Sequence, residues 1–306
     1  MSYRAENQTI LFGLKIFLDE LITLYKSKKL PNKILLSGQK GLGKCTMAYH
    51  LINFALSEGE EFSYNTNQNE INPLNRSYKL IQSNSNTNFD LIDVGFDRKN
   101  IDIDQIRNLI KKLRTSSFNN KPRFILIDNI DYLNKNAINA LLKILEEPSK
   151  NVYFILINNN KKVLATLKSR CLDFKIFLSN NQVIEITSKL LNLKIGDIIH
   201  ESLINYYSTP GKIYDLVNFC EKNKIDIKNT ELKFFLKKII KNYIYKKSNF
   251  IKLMMYELIE FYLVSKISFK KSDLYSFFIE KIYQTKKFNL DEETLLIEFE
   301  SKVLNG

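Results

Sequence analysis

The sequence predicts an α/β fold with a parallel sheet covered by helices on both faces, followed by a region built only from helices. Three observations predict this. Apolar strands alternate with amphipathic helices over the first 178 residues, which is the pattern of a parallel sheet. The segment VYFILI, residues 152–157, is apolar at successive positions, as strands covered on both faces are. From about residue 180 the strand pattern stops and helical periodicity continues.

The first elements surround a short buried strand, KILLSG, at residues 33–38. A helix is predicted before it, over residues 7–29, because apolar residues recur there at helical spacing. A second helix is predicted over residues 44–56. Residues 58–90 are polar and rich in asparagine, and they are predicted to form a loop with little fixed structure.

The remaining elements alternate in the same way. Further strands are predicted in DLIDVG, RFILID, VYFILI and DFKIFL. Helices are predicted over IDIDQIRNLIKKLRTSS and NKNAINALLKILEEPS, the second stopped by Pro148 because proline cannot continue a helix. Short helices are expected to about residue 222, and longer amphipathic helices from about residue 228 to the end.

Composition excludes several classes of protein. The chain is 44% hydrophobic and 26% charged, which is typical of a soluble protein, and its longest clean apolar run is far too short to span a bilayer. The start, MSYRAENQ, lacks the basic and apolar regions of a secretion signal. The three cysteines have neither disulfide nor zinc spacing. We therefore expect a cytoplasmic protein with no membrane association and no zinc.

The net charge of +13 has two explanations that the sequence leaves open. A basic protein favours a nucleic-acid partner. The alternative is the codon bias of an AT-rich genome, since the cations are mostly lysine and Asn, Ile, Phe and Tyr are abundant. The lysine pairs that punctuate the last helices are expected to be solvated, and His50 and His200 lie far from any metal-binding pattern.

The strongest chemical signal is SGQKGLGKCT, residues 37–46, which fits the phosphate-loop pattern G-x-x-x-x-G-K. It lies between a buried strand and a helix, which is the context that the motif requires. Gly38, Gly41 and Gly43 allow backbone N–H groups to curl around phosphate oxygens, and Lys44 is placed to reach the terminal phosphates. The motif predicts a nucleotide-binding type of loop.

The magnesium position of this motif is altered. Cys45 stands where a Ser or Thr hydroxyl would hold the ion, and a neutral thiol is a poor ligand for magnesium. Thr46 lies about 100° further round the helix and is not expected to substitute directly. Magnesium binding is therefore doubtful.

The segment FILIDNID, residues 124–131, is the second half of such a site. Asp128, at the end of its strand, is placed to hold magnesium directly or through water. Asn129 follows where a glutamate usually activates water, and a neutral amide cannot accept that proton. Loss of a general base typically costs ~10²- to 10⁴-fold in rate. ATP binding can survive these changes or be vestigial, whereas efficient hydrolysis is not expected.

These motifs carry a resemblance to a known family. SGQKGLGKCTMA, FILIDNIDYLNKNAINALLKILEEPS and ATLKSRCLDF resemble the AAA+ clamp-loader family of bacterial DNA replication. The altered phosphate site and the absence of cysteine between Leu56 and Asp93, where that family's zinc module would lie, resemble its delta-prime branch. The segment TPGKIYDL, residues 209–216, has Gly211 beside Lys212 where the motor subunits carry a sensor arginine, and this also resembles delta-prime.

The resemblance implies a domain organisation and partners. It implies an AAA+ P-loop domain in residues 1–178, a helical lid in 179–225 and a helical oligomerisation domain in 226–306. The implied partners are the tau/gamma and delta clamp-loader subunits, with the sliding clamp and primed DNA reached through the assembled complex. Two other functions stay open: an active motor ATPase of the tau/gamma type, and a stand-alone basic DNA-binding protein with a vestigial nucleotide fold.

The resemblance also assigns roles to two residues. In this family the arginine of the SRC motif, here Arg170, points into the ATP site of the neighbouring subunit. A guanidinium grips phosphate oxygens in a bidentate manner, which lysine cannot do. Asn158, at the end of its strand, matches the family's polar sensor residue, although a plain strand-terminal asparagine is the alternative.

Overall fold

The computed structural model describes residues 4–94, 100–113, 121–146, 151–159, 163–204, 208–266 and 272–305. The chain divides into two compact units, Met1–Gln182 and Val183–Gly306. The predicted division into three parts, with boundaries at residues 178 and 225, stays a prediction. Within the described ranges, no helix combines the length and the apolar character needed to cross a bilayer.

One parallel sheet forms the centre of the first unit. Its strands are β1 Lys33–Ser37, β2 Phe89–Ile92, β3 Arg123–Ile127, β4 Val152–Asn158 and β5 Leu172–Lys175. They lie in the order β2-β3-β4-β1-β5, and each pair is parallel. All strands therefore finish at one end of the sheet, called here the carboxyl end, and begin at the other, called the amino end.

Six α-helices are described in the first unit, and a seventh begins at its last residues and continues in the second unit. They are α1 Lys15–Lys26, α2 Lys44–Leu56, α3 Arg76–Gln82, α4 Ile103–Leu113, α5 Lys135–Glu146, α6 Ala165–Lys168 and α7 Asn180–Leu191. The predicted stop of α5 at Pro148 and the predicted last residues of α4 lie outside the described residues.

The sheet buries apolar side chains on both faces, as the sequence predicts. Successive residues of β1 and β3 alternate between two hydrophobic clusters. Leu36 and Leu126 pack with α1 and α2 on one face, whereas Leu35 and Ile127 pack with α4 and α5 on the other. This alternation explains why the strands read as continuous apolar runs rather than as alternating ones. The predicted α/β fold, a parallel sheet covered by helices on both faces and followed by a helical region, is confirmed.

The predicted helix over residues 7–29 is wrong in its first half. Only α1, Lys15–Lys26, and a short 3₁₀ turn at Ala5–Asn7 are helical there. Gly13 has a φ of +75°, which breaks the helix, and Ile10 forms an isolated antiparallel bridge with Glu70. The first half of the segment has helical spacing, but the bridge between Ile10 and Glu70, which are distant in the sequence, takes the place of a helix there.

The prediction of a loop with little fixed structure over residues 58–90 is also wrong. The segment contains α3 and is tied to α2 by buried asparagines. Asn75 caps α3 by accepting a hydrogen bond from Tyr78 N at 2.7 Å, and Asn53 Nδ2 donates to Asn75 Oδ1 at 3.1 Å. The asparagine-rich composition indicated a loop. In this segment, however, an asparagine side chain caps α3 and is hydrogen-bonded to an asparagine of α2.

The second unit is helical throughout its described residues after α7. Its main helices are α8 Pro210–Lys222, α9 Leu232–Lys241, α10 Asn249–Lys266, α11 Ser272–Phe288 and α12 Glu292–Phe299, the last continued by a π-helical turn at Glu300–Leu304. Fully buried aromatic residues fill its core, and the rings of Phe278 and Phe299 meet edge to face at 5.3 Å. This agrees with the predicted amphipathic helices.

Candidate functional site

The phosphate loop connects β1 to α2 at the carboxyl end of the sheet. Gly43 adopts a left-handed conformation, with a φ of +90°, at the position before α2 begins. Gly38 approaches the backbone closely, because a Cβ there would lie 2.4 Å from the carbonyl oxygen of Ile176. The loop therefore requires glycine at both positions, as the phosphate-loop pattern predicts.

Lys44 is folded back onto its own loop. Its Nζ donates to the carbonyl oxygens of Gly38 at 2.9 Å and Gln39 at 2.7 Å, and to Asn159 Oδ1 at 3.0 Å. The residue is only 3% exposed. Burial lowers the pKa of Lys44 to about 8, opposed by the negative charges of Asp128 and Asp131. A phosphate would have to replace hydrogen bonds that Lys44 already makes.

The two residues at the magnesium positions influence each other electrostatically. The Cys45 thiol and the Asp128 carboxylate each contribute to the shift in the other's pKa. Burial raises the pKa of Cys45 well above its usual value, and the charge of Asp128 raises it further. Burial also raises the pKa of Asp128, and the nearby Asp93 adds to that shift. The thiol is therefore protonated at neutral pH and supplies a neutral sulfur.

This pair does not fit a magnesium ion. Magnesium prefers oxygen ligands in a nearly octahedral arrangement, and a protonated thiol is a poor substitute for a hydroxyl oxygen. The chemistry of the donor set thus agrees with the doubt that the sequence raises about magnesium.

Asn129 belongs to a chain of hydrogen bonds across the carboxyl end. Lys44 Nζ donates to Asn159 Oδ1, Asn159 Nδ2 donates to Asn129 Oδ1 at 2.8 Å, and Asn129 Nδ2 donates to Asp93 Oδ1 at 2.8 Å. Lys44 can only donate and an ionised Asp93 can only accept, so the orientation of both amides is fixed. A glutamate at position 129 could not donate to Asp93. The amide completes a polar network that a general base would break.

The backbone of Asn129 contributes to this arrangement. It has φ +56° and ψ +49°, a left-handed conformation that asparagine tolerates better than most residues. Its N–H donates to Asp128 Oδ1 at 2.8 Å. The sequence shows the missing base, but it gives no signal that the amide bridges two neighbouring strands.

The predicted site residues from the phosphate loop and from Asp128 come together at the carboxyl end. Asn158 ends β4 beside Ser37, and its carbonyl oxygen accepts from Gly38 N at 3.3 Å. The asparagine side chain that contacts Lys44 is that of the next residue, Asn159, which the sequence analysis did not single out. A polar side chain that directly follows a buried strand is the signal that would have found it. The roles of Asn158 and Thr46 stay predictions.

Arg170 lies at the opposite end of the sheet. Arg170 lies two residues before Leu172, which is the first residue of β5. Leu172 pairs with Ile34 on β1. At about 3.3 Å per residue, the four residues from Ile34 to Gly38 span roughly 13 Å, which exceeds the length of a side chain. Arg170 therefore cannot reach the phosphate loop of its own chain.

Two contacts hold the Arg170 guanidinium. Nη1 donates to the carbonyl oxygen of Thr166 at 2.8 Å, and Nη2 donates to Glu146 Oε1 at 2.6 Å. The side chains of Arg170 and Glu146 are 31% and 52% exposed. Cys171 is half-buried and packs against the hydrophobic core, as expected for a small apolar residue.

The two histidines have structural settings. His50 is fully buried, with Nδ1 2.9 Å from Tyr64 Oη and Nε2 3.1 Å from the carbonyl oxygen of Gln8. His200 caps a 3₁₀ turn by accepting from Ser202 N. Among the described residues, no group of three or more His, Cys, Asp or Glu side chains is arranged to hold a metal ion. The absence of zinc stays a prediction.

Comparison with protein families gives one match. A family model described as DNA polymerase III, delta subunit, matches residues 13–179, which is more than half of the chain. The matched segment contains the whole parallel sheet, the phosphate loop and Arg170.

Individual proteins are similar to this chain as well. DNA polymerase III subunit delta' of Buchnera aphidicola subsp. Schizaphis graminum is 31% identical over 195 residues, which cover 58% of this chain and 55% of that protein. Subunit gamma of the same organism is 27% identical over 238 residues, covering 74% and 63%. The chain thus spans about half to two thirds of the length of these relatives. A solved Thermotoga maritima gamma subunit-related protein has a TM-score of 0.49 at 17% identity, covering 92% of this chain and 97% of its own.

Proposed function

This chain belongs to the family described as DNA polymerase III, delta subunit, and we propose that within it the chain is a delta-prime-like, non-motor subunit of a clamp loader. In this proposal it does not turn over ATP efficiently. It supplies Arg170 to the ATP site of a neighbouring motor subunit. It helps to load a sliding clamp on primed DNA as part of the assembled complex, with gamma- or tau-type and delta-type subunits as its partners.

One observation carries the proposal: a protonated thiol and a hydrogen-bonded amide occupy the positions that would perform hydrolysis. Burial and the charge of Asp128 raise the pKa of the Cys45 thiol, and Asn129 links Asp93 to Asn159 by hydrogen bonds. Neither a magnesium ligand set nor a general base is available in this arrangement. ATP, if it binds, depends on the backbone of the loop and on Lys44, and it gains little from magnesium.

The position of Arg170 supports a role in a neighbouring subunit. It lies at the amino end of the sheet, too far from its own phosphate loop to act there. Its side chain is partly exposed, so another subunit can reach it. An arginine inserted in trans at a phosphoryl-transfer site is worth ~10³- to 10⁵-fold in rate.

A second candidate is an active motor of the gamma type. The similarity to the gamma subunit favours it, since that match covers more of this chain than the match to delta' does. The residues at the carboxyl end oppose it, because Cys45 and Asn129 remove the magnesium hydroxyl and the general base together.

The test is ATP hydrolysis by the isolated chain and by its complex with the gamma-type subunit of the same organism. We expect stable co-purification, no measurable turnover by the isolated chain, and turnover by the complex that falls by at most one site's share in Arg170→Ala. Arg170→Lys should rescue poorly, because an ammonium keeps the charge but loses the bidentate geometry. Turnover near one per second by the isolated chain, abolished by Lys44→Ala, would favour the motor function instead.

A further inference from the structure

We propose that Glu146 is a positioning residue for Arg170, holding its guanidinium in the orientation in which it meets the nucleotide phosphates of the neighbouring subunit. The inference rests on the proposed function, because it assumes that Arg170 acts in trans. It adds a second residue to that function, one that touches no substrate and works through Arg170.

The contacts of Arg170 fix both ends of the guanidinium fork. Nη1 is bonded to Thr166 O, one helical turn earlier on α6, and Nη2 is bonded to Glu146 Oε1 on α5. One anchor would leave the planar group free to rotate about that bond. Two anchors on separate helices define the plane of the guanidinium.

Donors remain for a phosphate after both anchors are made. Each Nη nitrogen carries two N–H groups and uses one of them in the contact described, and Nε carries one more. A bidentate contact to phosphate oxygens needs two of these N–H groups. Arg170 can therefore keep Glu146 and Thr166 while it binds a phosphate.

The ion pairs near Arg170 identify Glu146 as the carboxylate that positions it. The other nearby carboxylate, Asp173, is 3.6 Å from Lys168 Nζ. In the part of the chain that the structure describes, Glu146 is the one carboxylate within ion-pair distance of Arg170. Exposed ion pairs contribute little to stability. Loss of this pair should therefore leave the fold intact and change mainly the orientation of Arg170.

The experiment is single-turnover ATP hydrolysis by the complex of the full chain with the gamma-type subunits. Arg170→Ala should produce a slow phase whose amplitude is one site's share and whose rate is roughly 10³-fold lower. Glu146→Gln keeps the shape of the side chain and removes its charge. It should produce a slow phase of the same amplitude, with a rate roughly ten-fold below that of the wild type, because small misplacements of a catalytic group have effects of this order.

Two further variants separate positioning from a general effect. Glu185→Gln removes a similarly exposed carboxylate that pairs with Lys189 at 2.6 Å, and it should leave the kinetics unchanged. Glu146→Gln introduced into Arg170→Ala should cause no additional slowing, since Glu146 acts only through Arg170. Gel filtration of each complex confirms that every variant assembles.

The outcomes of this experiment distinguish the positioning role of Glu146 from the proposed function. A slow phase for Arg170→Ala with wild-type kinetics for Glu146→Gln overturns the positioning role and leaves the proposed function standing. Faster hydrolysis in Glu146→Gln overturns it as well, because Glu146 would then compete with the phosphate for Arg170. Additional slowing in the double variant shows that Glu146 acts by another route. The absence of any slow phase in Arg170→Ala rejects the proposed function itself.

Discussion

The charged groups at the two ends of the sheet differ in their solvent exposure and in their contacts. At the carboxyl end, Lys44 is buried and Asp128 is partly buried, the pKa values of both are displaced by burial, and their hydrogen bonds are made within the chain. At the amino end, Arg170 and Glu146 are partly exposed and form one ion pair. The comparison teaches that changes at the phosphate loop need not disturb Arg170, because the two sets of residues share no contact, and the proposed function depends on this independence.

The largest expected effect on stability comes from acid and concerns α2, which carries Lys44 and Cys45. His50 anchors this helix. Nε2 donates to Gln8 O, which only accepts, and because burial favours the neutral ring, Nδ1 accepts from Tyr64 Oη. Burial lowers the pKa of His50 to about 4, below its unfolded value of about 6.5. The stability that it contributes is present above pH 6.5 and is lost as the pH falls to 4, by about 3 kcal/mol.

Chemical denaturation at several pH values checks this prediction. His50→Gln can make both hydrogen bonds without titrating, so the difference between its stability and that of the wild type should change between pH 6.5 and 4. His200→Gln is the control and should follow the wild-type curve, because His200 lies at a turn near the surface of the other unit. Parallel curves for the wild type and His50→Gln would show that His50 is not buried as a neutral ring.

The next largest effect on stability is expected at the carboxyl end of the sheet, where it tests the role of Asn129. Asn129→Glu restores the residue type of an active hydrolase but places a carboxylate beside Asp93 and Asp128. We expect a loss of about 2 kcal/mol of stability at pH 7, since an unpaired charge near like charges is unfavourable. The loss should shrink toward pH 5, where the new carboxyl group is protonated and can donate. Asn129→Gln, measured beside it in urea, should lose less and show no such pH dependence. An equally stable Asn129→Glu with ATP turnover would break the account of this end.

The smallest effect concerns magnesium. Because the Cys45 thiol is protonated and a neutral sulfur is a poor magnesium ligand, magnesium should change the affinity of the wild type for ATP by less than about two-fold. Cys45→Ser supplies a hydroxyl oxygen, and magnesium should then increase the affinity roughly ten-fold. Calorimetric titration with and without the ion measures both values, and Cys171→Ser serves as the control at the amino end. A strong magnesium effect in the wild type would show that another ligand, such as Thr46 or Asp131, compensates for Cys45.

The sequence predicted much of the fold because its main signals are local. Buried strands, amphipathic helices and the phosphate loop are each specified by residues close together in the chain. The N-terminal helix was overestimated because the bridge from Ile10 to Glu70 is not local. The helix and the hydrogen bonds within residues 58–90 were not predicted, because composition does not distinguish a buried asparagine such as Asn75 from an asparagine in a loop.

The site was predicted in part for the same reason. The defects at Cys45 and Asn129 are visible as single letters, and so is Arg170 through its motif. The hydrogen bonds through Asn159 and Asn129 join residues up to 115 positions apart, and no spacing rule reveals them. The partner of Arg170 is equally hidden, since Glu146 lies 24 positions away on another helix.

The central claim is that this chain contributes to hydrolysis through the amino end of its sheet and not through the carboxyl end. The most direct measurement is ATP hydrolysis by the assembled complex containing either Lys44→Met or Arg170→Ala, with assembly of each verified by gel filtration. The account predicts that Lys44→Met leaves turnover at the wild-type level, whereas Arg170→Ala removes one site's share. Loss of turnover with Lys44→Met and wild-type turnover with Arg170→Ala would contradict it.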